Sequence, residues 1–178
     1  MSEGLNALNA FSDMVLSYRP STKIKPALNL KKTAEPKAET KLEKNVMRLI
    51  KGDSAKILRT VADDSIDLVV TSPPYADQRK STYGGIHADR YVEWFLPIAD
   101  ELLRVLKPTG SFVLNIKERV VDGERHTYVM ELIIAMRKRG WFYTEEYIWH
   151  KRNCYPGKWP NRFRDAWERC IHFTKQKK

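Results

Sequence analysis

The sequence is poor in cysteine and in long apolar runs. It has two cysteines in 178 residues, Cys154 and Cys170, which do not make a disulfide framework. No apolar run reaches the roughly 18 residues that a membrane-spanning helix needs, so no membrane span is expected. The first residues have neither the basic segment nor the apolar core of a secretory signal. We therefore expect a cytoplasmic protein.

The net charge of +10 is unevenly distributed along the chain. Residues 137–178 contain 12 Lys or Arg against 4 Asp or Glu, a balance of +8, whereas residues 46–136 balance at −1. A basic segment on a near-neutral body favours a surface that faces a polyanion such as nucleic acid. The alternative is a basic face that contacts only solvent.

Composition divides the chain near residue 45. Prolines at 20, 26 and 36 among Lys, Glu, Ala and Thr predict that residues 1–45 are an N-terminal arm and flexible linker. The arm begins with apolar residues spaced for one side of a short helix: Leu5, Leu8, Phe11, Met14, Val15 and Leu16. Residues 46–178 alternate between helical and strand patterns, which predicts one α/β domain.

The predicted elements of this domain follow from its apolar periodicity. Asp89 is expected to cap the long helix, Pro97 to kink it, and residues 107–110 to stop it. The predicted helices are Ala55–Val61, Arg90–Leu106 and Tyr128–Arg139, and the predicted strands are Val46–Ile50, Ile66–Thr71, Ser111–Ile116, Phe142–Trp149 and Arg169–Phe173. The last two strands are expected to pair as an antiparallel hairpin.

The stretch Thr71–Tyr75 (TSPPY) is the most informative in the chain. It follows the apolar run Ile66–Val70 directly. The run and the motif together predict a buried strand that ends in a rigid loop. Two prolines fix the backbone and remove two N–H donors, which leaves carbonyl acceptors and a tyrosine ring in a nearly fixed arrangement. Such a loop suits the binding of a planar amine, although an ordinary Pro-Pro turn is the alternative.

TSPPY after an apolar strand resembles the catalytic motif of the DNA amino-methyltransferases, which methylate cytosine N4 or adenine N6. Gly52-Asp53-Ser54, residues 91–116, residues 140–151 and Asp165–Arg169 extend the resemblance over residues 46–178. It implies a Rossmann-like α/β fold that uses S-adenosylmethionine, and double-stranded DNA as the partner. It also implies a site-specific enzyme of the restriction-modification type.

The resemblance also implies roles for individual residues. Ser72 and the Pro73 carbonyl would accept hydrogen bonds from the target amine, and Tyr75 would stack on a base flipped out of the duplex. Pro74 completes the catalytic motif. Ser72, instead of Asp, at the first motif position resembles the cytosine-N4 enzymes and so favours cytosine N4, and adenine N6 is the alternative. Asp53 and Thr71 would contact the cofactor, unless Asp53 only caps the following helix.

A second candidate segment precedes the last strand. Residues 158–164 (KWPNRFR) interleave cations and aromatic rings, a pattern that can contact phosphates and stack on bases. Lys158, Trp159, Arg162 and Arg164 are therefore the predicted DNA-binding residues. The alternative is a connection whose aromatic residues pack on the sheet. His150, Cys154, Cys170 and His172 do not have a common zinc-site spacing, so no metal is expected.

The family's Gly-rich cofactor loop, resembling Phe-x-Gly-x-Gly, has no counterpart in this sequence. The resemblance therefore covers the catalytic half of the fold and implies an incomplete sheet with an exposed apolar edge. Three alternatives follow: half of a split enzyme with a complementary subunit, a truncated or degenerate relative that only binds DNA, or a fragment of a longer chain.

Overall fold

A computed structural model of the protein describes residues 15–16, 49–77, 85–154 and 161–177. Gly52–Lys178 and the strand Val15–Leu16 fall in one compact unit, and Arg19–Lys51 is a second unit. Leu49 and Ile50, in the second unit, are 95% and 59% exposed and form no strand. The predicted strand Val46–Ile50 is therefore wrong at these two residues, because neither is paired or buried. Its first three residues lie outside the described ranges.

Strands β1 (Val15–Leu16), β2 (Ile66–Thr71), β3 (Leu106–Ile116), β6 (Phe142–His150) and β7 (Trp167–Thr174) form one sheet in the order β1-β2-β3-β7-β6. β2 and β3 are parallel, and the other neighbours are antiparallel. The bounds predicted for β2 are confirmed. The predicted antiparallel pairing of β6 with β7 is also confirmed, although β6 ends one residue later than predicted and β7 begins two residues earlier and ends one residue later. β1 was not predicted, and its two residues were expected to be helical.

Three α-helices accompany these strands within the described ranges. They are α1 (Ser54–Leu58), α2 (Tyr91–Val105) and α3 (Tyr128–Lys138). Asp89 does not cap α2 as predicted, because it lies in a 3₁₀ turn, Ala88–Arg90, that precedes the helix. α2 continues through Pro97 and gives way at once to β3, so residues 107–110 belong to a strand instead of a loop.

Alternate residues of the central strands form the core. Val69 on β2, Phe112 and Leu114 on β3, and Ile171 and Phe173 on β7 are all less than 2% exposed. Because successive side chains on a strand point to opposite faces, their neighbours lie on the other face. There Val70 is 41% exposed, and Val113, Cys170 and His172 are half-buried.

A small hairpin forms a second, two-stranded sheet. β4 (Val120–Val121) and β5 (Glu124–Arg125) pair antiparallel across a two-residue turn. Asp122 and Gly123 both have positive φ, 49° and 87°, as an Asp-Gly hairpin turn requires. Within the described ranges, no helix is long and apolar enough to cross a membrane.

Candidate active site

Four strands bring polar side chains to one edge of the sheet. β2 and β3 are parallel, so the motif loop after Thr71 and Asn115 near the end of β3 lie at the same carboxyl edge. β7 runs the opposite way and places Glu168, its second residue, at that edge. β6 ends there as well and is followed by Lys151. In open α/β sheets, binding sites form at this edge.

The phenol of Tyr75 is the centre of a hydrogen-bond network. Its hydroxyl lies 2.8 Å from Glu168 Oε2 and 3.0 Å from Asn115 Oδ1. Ser72 Oγ lies 3.4 Å from the same hydroxyl, at the outer limit of a hydrogen bond. On the far side, Lys151 Nζ donates to Glu168 Oε1. The motif loop is therefore tied by side chains to both β3 and β7.

Burial and charge change the titration of this network. Burial, and then the hydrogen bond and negative charge of Glu168, raise the pKa of Tyr75 well above its ordinary value. Burial alone would raise the pKa of Glu168, but the hydrogen bonds from Lys151 and Tyr75 outweigh it and lower the pKa. At neutral pH, Tyr75 is therefore a neutral donor and Glu168 a charged acceptor.

A buried tyrosine from α2 holds the backbone of the motif. Pro73 is buried, and the Pro74 carbonyl accepts a hydrogen bond of 2.8 Å from the hydroxyl of Tyr91. The Tyr91 ring is fully buried and packs 4.6 Å, centroid to centroid, from the Tyr128 ring. Burial raises the pKa of both phenols, so both remain neutral. Ser72 alone of these motif residues is exposed.

Asp53 caps a helix with one carboxylate oxygen, and its other carboxylate oxygen accepts no hydrogen bond from the described residues. Its Oδ1 accepts the Ala55 N–H at 3.0 Å, as an N-cap of α1 does. Its Oδ2 is buried and has no hydrogen-bond partner in the described part of the chain. Buried acceptors are seldom left without a donor, so this oxygen fits an N–H group such as the adenine amine of a cofactor. Thr71 is 5% exposed, at the end of β2.

The segment predicted to bind DNA is only partly described. Lys158 and Trp159 lie outside the described residues. Arg162 Nη1 contacts Asp165 Oδ2 at 2.9 Å and its side chain is 20% exposed, so its guanidinium is committed to an internal ion pair. Arg164 is exposed, as is the neighbouring Phe163, at 95%.

Asp165 anchors this segment to the body of the protein. Besides Arg162 it contacts Arg125 at 2.7 Å and Lys117 at 3.2 Å. Burial of the carboxylate favours its neutral form, but hydrogen bonds from Arg125 and Lys117 prevail and lower the pKa of Asp165 to about 2. One carboxylate therefore joins the segment to β5 and to the end of β3.

Neither cysteine nor histidine forms a metal site in the described ranges. Cys154 and Cys170 are free thiols, and no group of three or more His, Cys, Asp or Glu residues there is arranged to hold a metal ion. His172 contacts Ser111 Oγ at 3.0 Å across the sheet.

No sequence pattern had predicted Asn115, Glu168 or Lys151 as residues of this edge. All three stand in the segments that carry the resemblance, but no role was assigned to them. The signal was a carboxylate at the start of β7 beside a cation at the end of β6, which an antiparallel hairpin brings together. The structure thus adds three polar side chains to the predicted motif.

A parallel strand pair carrying this loop and closed by an antiparallel hairpin defines the catalytic half of a Rossmann-like methyltransferase fold. The chain matches the model of the DNA methylase family (N6_N4_Mtase) over residues 66–178. It belongs to that family.

Individual relatives agree with this assignment. The Type II methyltransferase M.PvuII of Proteus hauseri is 38% identical over 116 residues, 62% of this chain and 34% of the relative. M.MwoI of Methanothermobacter wolfeii is 31% identical over 137 residues, 72% of this chain and 20% of the relative. The structure of PvuII DNA methyltransferase, described as cytosine-N4-specific, aligns with a TM-score of 0.60 and 35% identity, covering 70% of this chain and 48% of that one.

These alignments leave much of each relative unmatched. A putative DNA modification methylase from Thermus thermophilus has a TM-score of 0.54 and 26% identity, with 71% of this chain and 53% of that chain covered. The chain thus spans about half of its structural neighbours and about a third or less of the first curated relatives.

Proposed function

We propose that this chain is the catalytic half of a site-specific DNA methyltransferase that methylates the exocyclic amine of a flipped base, most specifically cytosine N4. The single observation that carries the proposal is the TSPPY loop at the carboxyl edge of the sheet. Its Ser72 is exposed while its prolines and Tyr75 are held in place. The cytosine-N4-specific PvuII relative, at 35% identity, supports the choice of base.

The residues of the loop fit the needs of the reaction. The lone pair of an exocyclic amine is delocalised into the ring, so the amine is a poor nucleophile. Ser72 Oγ and the Pro73 carbonyl would accept hydrogen bonds from its N–H groups and favour a more tetrahedral nitrogen. The Tyr75 ring would stack on the base after it leaves the duplex. No covalent enzyme intermediate is required.

The cofactor of the proposed reaction is S-adenosylmethionine, which supplies an electrophilic methyl group on a sulfonium sulfur when bound. The buried, unpartnered Asp53 Oδ2 fits its adenine amine. Thr71, which ends β2 directly before the catalytic loop, is proposed beside the methionine part of the cofactor. The family's Gly-rich loop is absent from this sequence, so these residues would form only part of the cofactor site.

Double-stranded DNA is the proposed partner, approached by the basic segment that precedes β7. Arg164 is exposed, whereas Arg162 holds Asp165 and supports the segment from within. Lys158 and Trp159 are proposed contacts on the strength of the sequence alone. A complementary polypeptide that carries the Gly-rich loop and a target-recognition region is proposed to complete the enzyme.

The proposal is tested in cells that lack other DNA methyltransferases. The chain is expressed together with the part of the PvuII relative that this chain does not match. Nucleosides from the host DNA are then separated by chromatography, and methylated nucleosides are identified by mass spectrometry. N4-methylcytosine, absent when Ser72→Ala replaces the wild type, is the expected result. N6-methyladenine would transfer the proposal to adenine, and no methylation in the presence of a stable complex would favour a DNA-binding remnant.

A further inference from the structure

Glu168 is a buried carboxylate that the proposed chemistry leaves without a role. It is 6% exposed at the start of β7. Burying a carboxylate is costly unless it is paired and hydrogen-bonded, and Glu168 has both kinds of partner. Lys151 Nζ contacts one of its oxygens, and the Tyr75 hydroxyl lies 2.8 Å from the other.

The Tyr75 phenol has a single O–H proton, so it can donate a full hydrogen bond to only one acceptor at a time. Two acceptors, Glu168 Oε2 and Asn115 Oδ1, lie within 3.0 Å of it. Asn115 is oriented by its own amide, whose Nδ2 donates to the Arg169 carbonyl at 3.1 Å. A charged acceptor forms the shorter and stronger bond, so the proton goes to Glu168. The direction of the phenol is thereby set by the second residue of β7.

Stability alone does not account for this arrangement. A buried ion pair is often no more stabilising than apolar side chains of similar size. The pair Lys151–Glu168 stands at the sheet edge that presents Ser72 and Pro73, and it is joined to the loop through one hydroxyl. A pair placed there restricts the ring of Tyr75 in a way that an apolar contact would not.

We infer that Glu168, held in its charged form by Lys151, is a positioning residue that fixes the Tyr75 ring for stacking on the target base. This inference rests on the proposed function for its consequence, although the Tyr75–Glu168 link itself does not. Glu168 does not touch the reacting atoms. It acts through the Tyr75 side chain, because it holds the hydroxyl at the tip of that side chain.

The link is tested first on the full chain without DNA or cofactor. Tyrosines labelled with ¹³C at Cζ give one NMR signal each, and the signal lost in Tyr75→Phe belongs to Tyr75. Glu168→Gln should move this signal, since the carboxylate acceptor becomes a neutral amide. Glu118→Gln is the matched control, because Glu118 is also buried and ion-paired, at 3.2 Å to Arg169. An unmoved Tyr75 signal in Glu168→Gln would overturn the inference.

The consequence is tested on the enzyme completed with the unmatched part of the PvuII relative. Glu168→Gln and Tyr75→Phe should each lower kcat by roughly tenfold to a hundredfold, the equivalent of one hydrogen bond to a charged group. The double variant should be no worse than either single one, because both changes remove the same bond. Glu118→Gln should keep the wild-type kcat even where its thermal stability falls with that of Glu168→Gln.

The two failures are distinguishable. If the completed wild type transfers no methyl group, the proposed function fails, and the NMR signal still decides whether Glu168 directs Tyr75. If the wild type is active and Glu168→Gln works at the same rate, the positioning role is wrong and the proposed function stands. Losses that add up in the double variant would also contradict it, because the two residues would then act independently.

Discussion

At the scale of single residues, the motif could be found from the sequence and its support could not. Ser72–Tyr75 are adjacent, so their pattern is visible in the chain itself. Tyr75 and Glu168 are 93 residues apart, and only the pairing of β3 with β7 brings them to one edge. For Asp53, the sequence left two alternatives, a helix cap or a cofactor contact. The carboxylate caps α1 through Oδ1, and its Oδ2, which has no partner among the described residues, is available to another donor.

Removal of the motif side chains should abolish most of the turnover. Ser72→Ala should lower kcat of the completed enzyme by about a hundredfold, the usual cost of deleting a preorganised hydrogen-bonding group at a reacting centre. Tyr75→Ala should lower kcat by roughly tenfold to a hundredfold, because it removes the ring proposed to stack on the base. Fold and DNA affinity should be largely retained, as judged by circular dichroism and by gel shift. Wild-type turnover in both variants would show that the site lies elsewhere.

Lys151 should control the acidic limit of activity. Lys151→Met removes a hydrogen-bond donor and a cation that lower the pKa of Glu168, so this pKa rises in the variant. Since the positioning of Tyr75 requires a charged Glu168, the acidic limb of the kcat–pH profile should move to higher pH. The profile is measured at saturating DNA, with Lys138→Met, an exposed lysine at the end of α3, as control. Coincident limbs for Lys151→Met and wild type would contradict the account.

At the scale of elements, patterns with a local cause were read correctly. β2 was predicted at its observed bounds because its apolar run stops at two prolines. The start of α2 was misplaced because Asp89 suits an N-cap and also suits the 3₁₀ turn that formed. The Asp122-Gly123 hairpin was not predicted, although an Asp-Gly dipeptide is a strong signal for a two-residue hairpin turn.

Gly123 should be required by its turn. It has a φ of 87°, and an added Cβ would lie 2.9 Å from Asn161 Nδ2, which donates to the Gly123 carbonyl. Gly123→Ala should therefore lower the free energy of unfolding by about 1 kcal/mol from the backbone alone, plus the lost contact. Gly140→Ala, with φ 99° and its nearest contact at 3.6 Å, measures the backbone cost alone. Equal losses in urea unfolding would show that Asn161 contributes nothing.

Asp165 should make the segment before β7 sensitive to acid. Its folded pKa of about 2 lies below its ordinary value of 3.8, so its stabilisation is complete above that value and is lost as pH falls toward 2. We expect about 1–2 kcal/mol from this group. The measure is the difference in unfolding free energy between wild type and Asp165→Asn, followed from pH 5 to pH 2. A difference that does not shrink would mean that the three cations do not stabilise the charged form.

The same segment should distinguish a DNA contact from an internal one. Arg164→Ala should weaken binding to all duplexes similarly and lower the slope of log affinity against log salt by about one, because one phosphate contact is lost. Arg162→Ala should mainly reduce thermal stability, since Arg162 is paired with Asp165. A salt titration of both variants decides, and an unchanged slope in Arg164→Ala would place the DNA surface elsewhere.

At the scale of the whole molecule, one face of the described sheet is more deeply buried than the other. Val69, Phe112 and Ile171 are buried there, whereas Val70 on the opposite face is 41% exposed. Alternation of this kind is unusual for a strand in a parallel pair, which in α/β proteins is normally buried on both faces. The sequence predicted an incomplete fold from the missing Gly-rich loop. It did not predict that β1 would pair with β2 at Val69 and Val70.

The isolated chain should therefore bind S-adenosylmethionine weakly or not at all. Asp53 would contact one end of the cofactor, and the loop that the family uses at the other end is absent from the sequence. Calorimetry on the chain alone should give a Kd weaker than about 1 μM, the equivalent of about −8 kcal/mol. Tighter binding would mean that the chain forms a complete cofactor site by itself.

The central claim is that the loop Ser72–Tyr75 directs a methyl group to cytosine N4, and the identity of the product tests it most directly. DNA is incubated with the completed enzyme and S-adenosylmethionine carrying a trideuterated methyl group, then digested to nucleosides for mass spectrometry. We expect the deuterated group on N4 of deoxycytidine, and its loss in Ser72→Ala and Tyr75→Ala. Label on another atom, or label on N4 that survives both substitutions, would contradict it.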